Sequence, residues 1–311
     1  MTEVTLDSGL LGRLARRNNF EAVPGRLVFF GLRGLLPLDI SGTSFAPAHP
    51  VRPADVNHMY MRCTLGQLDT KEGQLAVFPG STVPHLKYIS AAIGKRGVGA
   101  NMLMLGHYQY QRGGHRIDKA GGHRAFRQAI FFPVWRTSDD RDYELDDAID
   151  NDGGFVFDNL HCAYNDSLDV PEFGSAGCQV VAGRQERPAG KKNESGPWRR
   201  FLENAYEAKP KQARYSYFLF SGAEVLAVAM KADRDIRQSV RFGSVGDLVV
   251  QVQKALMDEG YPLQKADGDF GQNTLQALMG FQTKSFGPGT ADGVVGPNTA
   301  SALGMTLPSL G

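Results

Sequence analysis

FVFDNLHCAYNDSLDVPEFGSAGC, residues 155–178, sets a histidine at the end of an apolar run and a cysteine on a Ser-Ala-Gly-Cys turn. The run 155–160 predicts a β-strand that delivers His161, and the small residues before Cys178 predict a tight turn that presents its sulfur. Thiolate is the reactive form of cysteine. A thiol with a pKa of about 8.5 needs a neighbouring imidazole or clustered backbone N–H groups to ionise at neutral pH. The pair His161 and Cys178 therefore reads as a nucleophilic site. Cys178 is the candidate nucleophile and His161 the candidate base; Ser175 shapes the turn. The amides of Ala176, Gly177 and Cys178 are the candidate oxyanion donors.

Outward from this stretch, short apolar runs separated by Gly, Pro and Asp fill residues 25–160: RLVFFGLRG, HMYMRCTLGQLD, GQLAVFPGSTVP, ANMLMLGHYQYQRGGH, FRQAIFFPVWR and GGFVFDNLH. Strands of that length and spacing predict a β-rich domain over 25–228. A polar, basic loop (GRQERPAGKKNESGPWRR) leads into an amphipathic helix, WRRFLENAYEA, and RYSYFLFSG predicts a last strand that closes the sheet. Residues 1–24 read as an extension with one short helix, carried by Leu10, Leu11 and Leu14. The charged, unpatterned segment within 229–242 reads as a linker.

At 311 residues the chain has length for about two domains. Its 42% hydrophobic and 22% charged residues are ordinary for globular proteins. A net charge of +1 with no large basic block gives no reason to expect nucleic acid, whose binding needs clustered Lys/Arg. The clusters Arg13-Arg16-Arg17 and Lys191-Lys192 read as solvated faces. The first residues lack the features of a secretory signal, and no apolar run approaches the roughly 20 residues that span a bilayer. Cytoplasmic synthesis without a signal peptide, and a monomer with no membrane segment, are expected; action outside the cytoplasm would follow release or non-classical export.

Three cysteines, Cys63, Cys162 and Cys178, are too few for a disulfide scaffold. Cys63 reads as a buried strand residue. Cys162, next to His161, is expected on the opposite strand face. His107, His115 and His123 are spaced by eight, which fits neither a helical i,i+4 pair nor a zinc-ligand hairpin. No metal or cofactor is expected; the alternative ligand set is Cys162, Cys178, His161 and Asp166. Tyr108 and Tyr110 share a strand face, cleft or core, and Tyr108 joins Ala176 as a candidate substrate-binding residue.

The segment after 242 contains an internal repeat: DGDFGQNTLQAL (267–278) recurs as DGVVGPNTASAL (292–303). Each copy offers an Asp-Gly turn and an Asn-Thr pair read as a helix N-cap. Val245, Leu248, Val252 and Leu256, and then Leu275, Leu278 and Phe281, fall at helical spacing, predicting three short helices. Residues 243–305, standing as GSVGDLVVQVQKAL, DGDFGQNTLQALMGFQ and DGVVGPNTASAL, resemble the small peptidoglycan-binding domain. The resemblance implies bacterial cell wall as a partner.

The upstream region resembles the L,D-transpeptidase (YkuD-type) catalytic domain in divergent form: a strand-borne histidine, sixteen residues, then Ser175-Ala176-Gly177-Cys178. Ala176 stands where that family has a second histidine, and Val180 where an Asn or Arg follows the cysteine. The fold class implied is α+β and multi-domain, a β-rich catalytic domain followed by a three-helix binding domain. The activity implied is attack on peptidoglycan stem peptides through a Cys178 thioester, as a lytic peptidase of the phage-lysin or secreted-effector kind. A true L,D-transpeptidase and a non-catalytic wall-binding protein are the alternatives.

Overall fold

The computed structural model describes residues 3–116, 122–137, 141–145, 147–150, 154–185 and 194–311. Strand Leu27–Arg33 (β1) is buried at six successive positions, because the barrel interior covers one face and helices Ser8–Arg17 and Gly222–Ala229 cover the other. Alternation still operates. Phe29 joins Leu65, Phe78, Phe126, Tyr215 and Tyr217 in one core. Val28, Phe30 and Leu32 join Leu10, Leu14, Phe218 and Val225 in a second.

The barrel comprises β1, Cys63–Asp69 (β2), Gln74–Ser81 (β3), Gly106–His115 (β4), His123–Gln128 (β5), Leu160–Cys162 (β6), Gln179–Val181 (β7) and Arg214–Ser221 (β8). Their order is β6-β7-β3-β2-β1-β8-β4-β5, and Leu160 opposite Phe126 closes the ring. The expected last strand, β8, thus sits mid-wall, parallel to β1 and antiparallel to β4. The run at 155–160 is strand only from Leu160; Phe155 and Phe157 are instead exposed, at 54% and 63%. Helix Gly196–Glu207 (α3, numbered in chain order) packs Trp198 and Phe201 into the first core, Phe201 lying 4.8 Å from Phe29.

The amino-terminal stretch is part of the fold and not an extension. Val4–Asp7 pairs with Ala48–Pro53, and helix Ser8–Arg17 (α1), capped by Asp7 Oδ1 accepting from Leu10 N at 2.7 Å, buries Leu10, Leu11 and Leu14. Two of its three clustered basic residues are likewise not a solvated face: Arg13 meets Asp233 at 2.7 Å, and Arg17 pairs with Glu224 of helix Gly222–Ala229 (α4), while Arg16 is exposed. Lys191 and Lys192, with the rest of 186–193 in the expected basic loop, lie outside the described residues.

The segment read as a linker is folded too. Ser239, Val240 and Arg241 are buried, and the Arg241 guanidinium grips both carboxylate oxygens of Glu224, at 3.2 and 3.3 Å. Phe242 O accepts from His107 N at 3.0 Å, Val245 N donates to Asn19 O at 2.8 Å, and the Phe242 ring stacks on Tyr108. The carboxy-terminal module is thereby docked on the barrel.

His107 sits in this junction, donating Nδ1–H to Gly243 O at 3.3 Å while Nε2 lies buried with no partner, and Phe20 and Phe218 flank its ring. Burial draws its pKa down to about 4. The unfolded chain takes up this proton near pH 6.5, before the folded chain does. Stability is therefore full above pH 6.5, falls as pH drops toward 4, and loses about 3 kcal/mol to this group. Urea titrations across that window are expected to show a slope that His107→Phe reduces by one proton's share.

The module itself is three helices, Asp247–Asp258 (α5), Gln272–Phe286 (α6) and Pro297–Ala302 (α7). The sequence repeat becomes a repeated clamp. Gln253 Nε2 donates to Asp267 Oδ1, Asp269 O and Thr274 Oγ1 at 2.9–3.0 Å, while its Oε1 accepts from Gly268 N. Gln282 makes the same four bonds to Asp292, Val294, Thr299 and Gly293. The Asn-Thr pairs are not N-caps: Gly271 and Gly296 hold those positions, and the threonines sit in the first turn so that their hydroxyls meet the glutamines.

Candidate functional site

Four residues make the turn that carries the sulfur. Ser175 Oγ donates to Cys178 O at 2.7 Å and accepts from Gly177 N at 3.2 Å, so the buried serine ties the turn shut from within. From outside, His85 N donates to Ser175 O (2.8 Å) and Asn101 N to Ala176 O (3.3 Å). Gly177 has φ +130°, and a Cβ there would lie 2.5 Å from Asn101 Cβ and 2.9 Å from its carbonyl oxygen. Only glycine fits. Because Gly177 N is committed to Ser175, exposed Ala176 and buried Cys178 supply the remaining candidate amides.

Strand register explains why His161 meets Cys178. β6 and β7 run parallel with His161 opposite Val180 and Leu160 opposite Gln179, so one step back Cys178 faces Asn159. Asn159 N donates to the sulfur at 3.4 Å, and Phe157 O lies 3.7 Å from it. His161 gives Nδ1–H to Cys162 O at 2.7 Å, which leaves its Nε2 lone pair as acceptor.

Hairpin β4–β5 brings two further imidazoles. His115 and His123, eight apart in sequence, are direct cross-strand partners, their ring centroids 5.4 Å apart. The His115 ring stacks on that of His161 at 4.1 Å, and its Nδ1 meets the Asn159 carboxamide at 3.1 Å. Two triads result, sharing His161. Ligating atoms of His115, His161 and Cys178 lie within 4.8 Å of one another, as do those of His123, His161 and Cys162. Cys162, expected on the opposite face, thus lies beside His161. Asp166 instead pairs with Arg184 at the surface, apart from these groups. His107 is in the module junction.

The electrostatics keep the pair neutral at rest. Burial, reinforced by Asp158, pushes the Cys178 thiol up to about 12. Burial, then His115 and His123, hold His161 well below the ordinary histidine range, and burial, then His123 and Arg116, draw His115 down to about 4. Behind the sulfur, burial raises the Asp158 carboxyl well above the usual range; Gln179 Nε2 donates to it at 3.4 Å, and Tyr217 donates to Gln179 Oε1 at 2.9 Å. Phe157 and Tyr164, at the rim, hold left-handed backbone angles, φ +57° and +60°. Such conformations in non-glycine residues cost about 1–3 kcal/mol and gather at functional sites.

The site therefore holds His161, Cys178, Ser175, Gly177 and Ala176 together. Tyr108 is elsewhere: its ring is fully buried and its hydroxyl donates to Met104 O at 2.6 Å, so it serves the core and not a substrate face. Asp158, Asn159, Tyr164 and Gln179 escaped sequence reading, and His115 and His123 were set aside on their spacing. The two Gly-Gly-His runs, 113–115 and 121–123, were the available hairpin signal.

Residues 245–303 match the family described as "Putative peptidoglycan binding domain". The match covers the three helices and both glutamine clamps, and it associates the chain with the cell wall; it does not reach the barrel. No curated protein and no solved structure matches the chain. Among the described residues, no helix is long and apolar enough to cross a membrane.

Proposed function

We propose that the chain is a cysteine enzyme that cuts peptidoglycan stem peptides. The observation that carries this reading is the placement of Cys178 Sγ, on a turn locked by Ser175 and Asn101, within 4.8 Å of His161 and His115 ring nitrogens. The peptidoglycan-binding domain supplies the substrate class. His161 Nε2 takes the thiol proton as sulfur attacks the carbonyl carbon, and then gives it to the departing amine as the C–N bond breaks. Water hydrolyses the thioester, returning the acid and the thiol. Both groups are neutral beforehand, so proton transfer accompanies attack in place of a pre-formed ion pair. The amides of Ala176 and Cys178 face the oxyanion role. Apolar Ala176 and Val180, in place of polar groups that would hold a donor stem, favour water as the acceptor.

Cys178→Ala is expected to abolish release of muropeptides from purified sacculi, read by mass spectrometry, while co-sedimentation with sacculi is unchanged. Products carrying one new carboxyl group identify hydrolysis. Undiminished release by the variant would sink the reading.

A further inference from the structure

We propose that His115, His161 and Cys178 form a binding site for a thiophilic divalent metal ion, Zn²⁺ by its ligand chemistry, and that occupancy silences the cysteine. The second half of this inference rests on the nucleophilic role proposed for Cys178; the first does not.

Two imidazoles and a thiol within 4.8 Å of one another need little adjustment to hold zinc. Tetrahedral bonds of about 2.0–2.3 Å put neighbouring ligand atoms about 3.3–3.6 Å apart. Such a contraction of roughly 1 Å is within side-chain reach. His161 is oriented in the manner of a metal-bound histidine: it donates Nδ1–H to Cys162 O, leaving Nε2 to ligate. Asn159 Nδ2 lies 3.1 Å from His115 Nδ1, and rotation of that carboxamide by a half-turn sets its oxygen to accept Nδ1–H, leaving His115 Nε2 to ligate. The third donor, the sulfur, is positioned by Asn159 N. One residue, Asn159, therefore braces two of the three ligands.

The outer triad is preferred over His123, His161 and Cys162. All three members of the inner set are buried, whereas His115 is only half-buried and Cys178 lies beside exposed Ala176, giving an entry path. Three protein ligands leave a fourth tetrahedral position for water. In the bound form the thiol proton is released to solvent and the sulfur lone pair is held by the metal. Attack on a carbonyl is then blocked, and His161 can no longer accept a proton.

The test uses the full chain, stripped with a chelator and titrated with ZnCl₂, and with CoCl₂ to read thiolate-to-cobalt charge transfer. One equivalent is expected, with protection of Cys178 from iodoacetamide in the unmutated protein. Cys178→Ser and His115→Ala are each expected to weaken binding by at least about 10–100-fold, whereas Cys162→Ser retains it. Absence of stoichiometric binding overturns the site, and so does loss in Cys162→Ser with retention in Cys178→Ser. Zinc is further expected to stop muropeptide release by the metal-free protein. If the metal-free protein is inactive and zinc restores release, silencing is overturned and the cysteine mechanism falls with it, while the metal site stands. If the metal-free protein is active and zinc does not bind, the metal site alone falls.

Discussion

Gly177→Ala is expected to destabilise the protein by about 2–5 kcal/mol and to remove activity almost wholly. The first effect sums a left-handed penalty at φ +130° with overpacking against Asn101, whose Cβ would lie 2.5 Å away. The second follows because the turn can relieve that contact only by moving Cys178, and a shift of about 1 Å costs on the order of 100-fold in rate. The urea midpoint and muropeptide release read the two effects separately. Gly12→Ala is the control of opposite sign. Gly12 lies within α1 with open space around its Cα, so alanine is expected to add about 0.5–1 kcal/mol by helix propensity. Equal responses at the two glycines would contradict the account of the turn.

Glu224→Ala is expected to cost about 3–5 kcal/mol, because it strands the buried Arg241 guanidinium and takes its partner from the partly exposed Arg17. Glu224 accepts from Arg17, from both terminal nitrogens of Arg241, and from Asn18 Nδ2 at 2.8 Å, and the side chains of Glu224 and Arg241 are 8% and 6% exposed. The loss is thus larger than any surface ion pair gives, which is about 0–1 kcal/mol. Adding Arg241→Met to Glu224→Ala removes one orphaned charge and is expected to recover part of the loss. Denaturant titration of the single and double variants checks it. Limited proteolysis between residues 230 and 245 is expected to quicken in the single variant.

The carboxy-terminal module was legible because its signals are local. Leucines and valines at helical spacing and twice-used Asp-Gly turns mean the same thing whatever surrounds them. The pairing of His161 with Cys178 was legible as a motif, although the strand that delivers His161 begins five residues later than the apolar run suggested. Phe155 and Phe157 supply apolar character and face solvent, and hydrophobicity does not distinguish a rim from a wall. The remainder was hidden by distance along the chain. Arg13 finds Asp233 and Arg17 finds Glu224, separations of 220 and 207 residues, so a charged segment looked like solvated linker until its partners were in place. His115 and His123 were misjudged for a related reason: a spacing of eight means nothing on a helix but becomes direct opposition across a hairpin.

The docked module has a consequence for how the protein would meet its substrate. A flexible tether raises local concentration over a sphere and leaves the catalytic face free to sample any orientation. Here Phe242 is stacked on Tyr108, Asn19 and His107 hold the first residues of the module by backbone bonds, and an ionic clasp sits beneath them. Under the proposed function the module would act as a jig and not a leash: a glycan strand seated on it would present its stems at one distance and one angle to Cys178. Cuts made by such an instrument fall at a fixed offset from the point of attachment, so their spacing along the wall would carry the dimensions of the protein.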